Sequence, residues 1–256
     1  MGRSPTANLP AVLILRGSHV IEALSAQKVP PAGFADALHK RHRIAQLRVR
    51  IIRGETVILL KEFEGERYEF HVRETQTYEI IEDVARHNSE IGVLYVNEFN
   101  RTVIKKALRD NNLVFRPLFT AKPHVFIGKN SPLAGKREIT LEDLKPYPRL
   151  SYEQGEHNSF YFSEEILSIV DADKELVVLD RATLFNLLIG MNGYTICSGV
   201  ISEELNGPNI IAKPLKVDDC MEIGYILHES IKPSGLTRRY IEHLQECAVT
   251  REISLT

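Results

Sequence analysis

Two stretches of this 256-residue chain gather side chains capable of chemistry. Ser151-Tyr152-Glu153-Gln154-Gly155-Glu156-His157-Asn158-Ser159 mixes hydroxyls, carboxylates, amides and an imidazole without interruption. The run falls between a predicted strand and a predicted helix, where the free N–H groups of a helix start can receive an anion. A plainer account is a loop that caps the helix through Asn158, and both accounts stand at this level. Arg73-Glu74-Thr75-Gln76-Thr77 likewise closes a strand and opens a helix, and a simple capping role for Thr75 is the plainer account there. His157 has no neighbouring cysteine, histidine or carboxylate pair to make it a base or a metal ligand, so hydrogen bonding suits it better.

Established catalytic and cofactor patterns are missing from the sequence. It has no GxSxG nucleophile elbow, no GxGxxG turn and no HExxH among its nine histidines. Gly128 to Lys136 has the flavour of a phosphate loop, but Gly128 and Gly135 are too far apart, and Arg137 stands where Ser or Thr would hold magnesium. A binding protein without cofactor or metal is therefore expected, rather than an enzyme.

The elements that position these residues follow from periodicity. Tyr68, Phe70 and Val72 alternate as a half-buried strand, and Ile80, Ile81 and Val84 repeat at helical spacing within Gln76 to His87. Ile91 to Val96 is a continuous apolar run suited to a buried strand. A helix over Arg101 to Asp110 and a strand over Leu113 to Phe119 follow. The order then repeats: a strand at His124 to Gly128, a helix opened by Thr140, a strand at Pro148 to Tyr152, a helix from Asn158 to Val170 and a strand at Glu175 to Leu179. A helix at Ala182 to Met191, strands at Tyr194 to Ser198, Ile210 to Pro214 and Met221 to Leu227, and a helix at Leu236 to Cys247 complete it. Two α/β units in series predict parallel-rich sheets in two lobes, with ligands beyond the carboxyl ends of the strands.

Composition agrees with a globular domain: 43% hydrophobic, 26% charged and a formal charge of −2. That balance gives no global drive toward nucleic acid or membrane. The cysteines Cys197, Cys220 and Cys247 are odd in number and form no CxxC pair, which suits a reducing compartment. No apolar run is long enough for a membrane helix, and Leu9 to Leu15, broken by Pro10 and followed by Arg16, does not read as a signal peptide. A cytoplasmic location is expected.

Residues 1 to about 55 look different. Pro5, Pro10, Pro30 and Pro31 interrupt them, and His39, Lys40, Arg41, His42, Arg43, Arg48, Arg50 and Arg53 crowd a helix predicted from Asp36 to about Gln46. The cluster reads as a solvated basic helix or leader, with a nucleic-acid-binding arm as the alternative.

The order of the remaining segments resembles the effector-binding domain of LysR-type transcription regulators. Arg73 to Thr77 with its helix and Ser89-Glu90-Ile91-Gly92-Val93-Leu94 resemble the first lobe. Lys122 to Ile127 followed by Ser131-Pro132-Leu133 resembles the entry to the second, with Ser131 in place of the usual histidine. Thr140-Leu141-Glu142-Asp143-Leu144 with Pro148-Arg149-Leu150, and Gly190-Met191-Asn192-Gly193-Tyr194-Thr195-Ile196, resemble later elements. The match runs from about 57 to 249. It implies a periplasmic-binding-protein-like α/β fold with a central cleft. Lobe one would hold about 57–120 and 222–250, and lobe two about 121–221. The crossings would lie near Thr120 to Lys122 and Val217 to Met221.

The resemblance further implies a small-molecule effector bound by Thr75, Gln76, Thr77, Ser151, Gln154, His157, Asn158, Thr195 and Ser198. It also implies a homodimer or tetramer. The predicted helix start at Asn158 suggests an anionic effector. Promoter DNA is a partner only where a winged helix-turn-helix is present, and residues 1–55 show none. The alternative is a stand-alone small-molecule-binding module that does not itself bind DNA. Leu47 to Ile52 is the candidate for the family's first strand, with Arg53-Gly54-Glu55 in place of a hydroxyl-rich loop. A frameshift or altered start upstream of about residue 56 is the expectation that accounts for the change in character.

Overall fold

A computed structural model describes residues 41–46, 60–61, 69–155, 159–200 and 207–255. The strands are β1 (Arg41–Gln46), β2 (Glu69–Glu74), β3 (Ile91–Val96), β4 (Leu113–Ala121), β5 (His124–Gly128), β6 (Arg149–Tyr152), β7 (Glu175–Val178), β8 (Thr195–Cys197), β9 (Ile210–Pro214) and β10 (Met221–His228). The helices are α1 (Thr77–Ala85), α2 (Arg101–Asp110), α3 (Leu141–Leu144), α4 (Arg181–Gly190) and α5 (Gly235–Leu255).

The first lobe is a five-stranded sheet in the order β2-β1-β3-β10-β4. β1 runs parallel to β2 and β3, while β10 is antiparallel to both β3 and β4. Four strands therefore point one way and β10 alone is reversed. In the second lobe β5 is antiparallel to β8 and β9, and β6 is parallel to β7. A single parallel bridge, Arg149 to Tyr194, ties β6 to the start of β8. The resulting succession, β7-β6-β8-β5-β9, repeats that of lobe one position for position. Again one strand is reversed, here β5. The reversed strand in each lobe is the one that arrives from the other: β5 directly follows β4, and β10 follows β9.

Local sequence explains the central elements. Every residue of β3 is buried, as its unbroken apolar run requires between two neighbours and under helices. Ile80, Ile81 and Val84 of α1 pack onto that sheet. β4 is an edge strand, so it tolerates Pro117, and the ladder slips there: Ile223 faces Phe119 but Gly224 faces Pro117. Gly224 has no room for a side chain, since a Cβ would lie 2.4 Å from the Arg116 carbonyl oxygen. α3 opens with a reciprocal capping box between Thr140 and Asp143. One hydrophobic cluster extends from Ile80 and Leu94 through Val125 to Leu215, and a smaller one under α4 joins Phe126, Leu150, Leu184 and Leu188.

The structure corrects two sequence expectations. The helix expected from Asp36 to Gln46 is absent where the chain is described: Arg41 to Gln46 is a strand, hydrogen-bonded on both sides within the first sheet. Lobe one thus takes a strand from the segment read as irregular. Leu47 to Ile52, the other candidate strand, lies outside the described residues. The helix expected from Asn158 to Val170 is also absent. Phe160–Phe162 form one 3-10 turn, and the chain to Val170 continues in bends and turns. Leu167 has a φ of 61°, which an α-helix cannot contain.

Candidate functional site

The carboxyl ends of β6 and β8, the start of α4 and the turn after Phe162 enclose a small, partly open cleft with a cavity volume of about 50 Å³. Its polar wall is Tyr152, Glu164, Glu165, Arg181, Thr195 and Ser198, and its apolar wall includes Phe126, Leu184, Phe185 and Met221. Met221 begins β10, so the cleft sits where lobe two meets the second crossing. Placement beyond strand ends is what open α/β sheets favour for ligands.

Lobe one reaches the cleft through Arg181. Its guanidinium lies 3.5 Å from both carboxylate oxygens of Glu74 at the end of β2. Both side chains are largely buried, at 8% and 13% exposure. Other contacts between the lobes flank this pair. The Gln76 side-chain amide donates to the Glu153 carbonyl at 3.1 Å, and the Tyr95 hydroxyl donates to the Ser163 carbonyl at 3.0 Å. Phe99 stacks on Tyr161, and Tyr78 meets Phe162 edge-on.

Carboxylates dominate the electrostatics. Glu165 accepts from the Tyr152 N–H and from the Ser163 hydroxyl, each at 3.0 Å. Burial nonetheless pushes its pKa up, against the opposing pull of those hydrogen bonds and of Arg149. The Tyr95 hydroxyl is also pushed up, first by burial and then by the negative field of Glu165, Asp219 and Glu164. α4 carries its own cap, since the Asp180 carboxylate accepts from the Thr183 N–H at 2.9 Å.

The sequence-predicted residues divide into groups. Thr195 and Ser198 line the cleft, are 6% and 4% exposed, and make no side-chain hydrogen bond among the described residues. Thr75, Gln76 and Thr77 gather at the start of α1 outside the cleft wall. The Thr75 hydroxyl donates to Glu79, Gln76 occupies the N-cap position without capping, and the Thr77 hydroxyl is buried with no partner. Ser151 is directed into the β6–β7 pair, where its hydroxyl donates to Glu175 at 3.1 Å. The Gln154 amide donates to the Tyr152 carbonyl, and its own carbonyl oxygen is buried without a partner. His157 and Asn158 lie outside the described residues. Sequence reasoning missed Glu164, Glu165 and Arg181. The signal available was two adjacent glutamates inside an apolar stretch, Phe160 to Leu167, which was read only as part of a helix.

Two lobes of matching topology, joined by two crossings and pinned together beside a polar cleft, define a ligand-binding α/β protein. The family profile described as LysR substrate binding domain matches residues 59–248. The chain belongs to that family, whose members are the effector-sensing domains of LysR-type transcription regulators. Comparison with curated proteins found no significant match. Among solved structures, the chain is similar to the effector-binding domain of QuiR in complex with shikimate, with a TM-score of 0.56 and 15% identity over 83% of this chain and 98% of that one. The reduced OxyR regulatory domain of Pseudomonas aeruginosa gives 0.56 and 14%, over 81% and 96%. Full-length CbnR complexed with its target DNA gives 0.55 and 14%, over 81% and 70%. At these identities the likeness establishes the fold.

Proposed function

We propose that a small-molecule effector binds in the cleft between Thr195, Ser198, Glu164 and Arg181, and that its occupancy resets the contacts between the lobes to control DNA-dependent transcription. One observation carries this reading: Arg181 both lines the cleft and pairs with Glu74 of the other lobe. A ligand that touches Arg181 therefore bears directly on lobe geometry, which is the differential contact that a conformational signal requires.

Thr75 to Thr77 and Gln154, around the same junction, serve as further contacts when the lobes move. The α-helix start at Asn158 that would favour an anion is replaced by the 3-10 turn Phe160–Phe162. The site acts by binding rather than by catalysis, because both oxygens of Glu165 are engaged in holding the turn. The regulator works as a homo-oligomer, dimer or tetramer, and contacts promoter DNA where a winged helix-turn-helix accompanies this domain. Cys197, Cys220 and Cys247 form no disulfide, which suits a cytoplasmic setting. No helix among the described residues is long and apolar enough to cross a membrane.

The test is a metabolite panel screened by thermal unfolding of the full chain, repeated on Thr195→Val and Ser198→Ala. Compounds that raise the Tm of the parent and lose that effect in both variants place the effector in the cleft. Stabilising compounds indifferent to both substitutions place it elsewhere and end this reading.

A further inference from the structure

Lobe one has a cavity of its own, at the end of its sheet away from the cleft. About 60 Å³ in volume, it is enclosed by the turn that joins α1 to β3, the end of β10 and the loop leading to α5. His87 and Ser89 come from the turn, His228 from the strand, and Ile231 and Lys232 from the loop. The eight residues of β10 from Met221 on the cleft wall to His228 span roughly 23 Å. The two cavities share no wall residue.

The polar groups on this wall are mostly donors that the protein leaves unused. Ser89 is 5% exposed, yet its hydroxyl makes no hydrogen bond among the described residues. Buried hydroxyls are ordinarily satisfied, so this one points to a ligand. The Ser230 N–H donates to His228 Nδ1 at 3.3 Å, which makes Nδ1 the acceptor and assigns the ring hydrogen to Nε2. His228 Nε2, the His87 ring nitrogens and the Lys232 ammonium have no hydrogen-bond or ion-pair partner among the described residues. The two imidazoles stand edge to face with centroids 4.6 Å apart. The acceptors nearby are already engaged. Glu90, the carboxylate on this wall, accepts from the Thr237 hydroxyl at 2.6 Å. At the end of α1 the carbonyls of Glu82, Asp83 and Val84 accept from the N–H groups of Arg86 to Ser89.

We infer that this cavity binds a phosphate group, free or as the monoester of a small molecule, through Lys232, the Ser89 hydroxyl and the two imidazoles. Phosphate oxygens are strong acceptors, and donors from three segments of chain suit a tetrahedral oxyanion better than a planar carboxylate. Lys232 supplies the point charge with which lysine commonly holds phosphate. Ile231, 48% exposed beside it, offers apolar surface to the body of an ester. The site is separate from the effector cleft and does not depend on it. Both elements that wall it, α1 and β10, reach the lobe junction at their other ends, beside the Gln76 contact to Glu153 and at Met221.

The test uses the full chain at neutral pH and constant ionic strength. Inorganic phosphate and phenyl phosphate are compared with chloride and acetate by thermal unfolding and calorimetric titration. The phosphates should raise the Tm saturably, and chloride and acetate should not. Lys232→Met and His228→Phe should each weaken phosphate by roughly tenfold, the size of a charge-assisted hydrogen bond. Ser89→Ala should weaken it as well. Lys232 is exposed, so Lys232→Met keeps the test alive should His228→Phe fold poorly. Equal affinity for the two phosphates assigns the free ion, and tighter binding of phenyl phosphate assigns a monoester resting on Ile231. Acetate that stabilises as well as phosphate overturns the inference. So does a phosphate effect untouched by all three substitutions, or no phosphate effect at all. A phosphate effect lost in Thr195→Val and kept in Lys232→Met puts the ion in the cleft and overturns it too.

Discussion

Replacing Arg181 with methionine removes a charged contact by which lobe one reaches the cleft. Methionine keeps most of the stem volume, so the perturbation is chiefly electrostatic. In the parent, Arg181 and Glu74 are 8% and 13% exposed, and the guanidinium lies 3.5 Å from both carboxylate oxygens. Removing one partner of a buried pair costs about 3–5 kcal/mol, because the remaining charge stays desolvated. The 3.5 Å spacing is at the long end for a charge-assisted bond, which places the estimate near the lower figure. At about 2–4 °C per kcal/mol for a chain of this size, Arg181→Met should lower the Tm by roughly 6–12 °C. Glu74→Gln in the same chain relieves the orphaned charge. The double variant should therefore recover more than about 1 kcal/mol relative to the sum of the single losses. Urea unfolding gives each free energy from the midpoint, provided the m-value stays constant. A loss below about 1 kcal/mol for Arg181→Met, or strictly additive losses in the double variant, would refute the idea that this pair ties the lobes together.

The remaining predictions concern packing, backbone and ionisation. Gly92→Ala places a Cβ 2.5 Å from Ile80 Cγ2 and 2.9 Å from Ile226 Cγ1, so overpacking should cost about 1–3 kcal/mol, read as a lower urea midpoint. Gly199→Ala meets both a φ of +78° and the His124 ring at 2.4 Å. It should unfold earlier and, by shifting Ser198, also weaken any ligand that depends on the Ser198 hydroxyl; an unchanged Tm would show that the loop simply relaxes. Thr140→Val deletes the acceptor of the α3 capping box and should cost about 1 kcal/mol, checked by calorimetry. Asp143, held down to about 2 by Lys136 and by Thr140, contributes stability that is present above its ordinary value of 3.8 and fades as pH falls through about 2. Lys136→Met should therefore flatten the acid limb of the stability curve between those values. Glu165 has the opposite sign. Its pKa is raised by burial, so its folded neutral form favours stability below the ordinary value of 4.5, and that contribution is lost as pH rises through the folded value. Glu165→Gln should leave stability flatter above about pH 4.5, and an unaltered pH profile would count against a burial-raised carboxyl.

Much of the fold can be read from periodicity because its central strands and helices are locally consistent. β3 is apolar at every position, and α1 repeats Ile80, Ile81 and Val84 on one face, so sequence and burial agree. β1 is different. Arg41-His42-Arg43-Ile44-Ala45-Gln46 has no strand alternation, and what makes it a strand is hydrogen bonding to β2 and β3 on either side, a non-local cause. The stretch after Asn158 fails in the other direction. Phe162, Ile166 and Val170 have helical spacing, yet the positive φ of Leu167 and the bonds from Ser163 to Glu165 and from Tyr95 to Ser163 hold it in turns. That misreading hid Glu164 and Glu165. A helix would have turned Glu164 and Glu165 toward solvent, whereas the turn buries them against the cleft. The hydroxyls of Thr195 and Ser198 were reachable because a strand end in an open α/β sheet is a predictable place for a ligand.

The topology also says where a bound ligand can act. Each lobe is built on the same strand order, with the reversed strand supplied by the chain returning from its partner. β10, the reversed strand of lobe one, is bonded to β3 on one side and β4 on the other, so it cannot shift without carrying the sheet with it. Its first residue, Met221, is also part of the cleft wall. The cleft wall is therefore linked to lobe one in two ways: through chain continuity, at Met221 where β10 begins, and electrostatically, through Arg181 and Glu74. The first contact is fixed by chain connectivity and transmits rigid-body displacement. The second is an ion pair, which can be exchanged. A domain with only the first would feel ligand binding but have one preferred arrangement. In the function proposed above, exchange of that pair on ligand binding supplies the second arrangement that a sensing domain needs to convert occupancy into a change of shape.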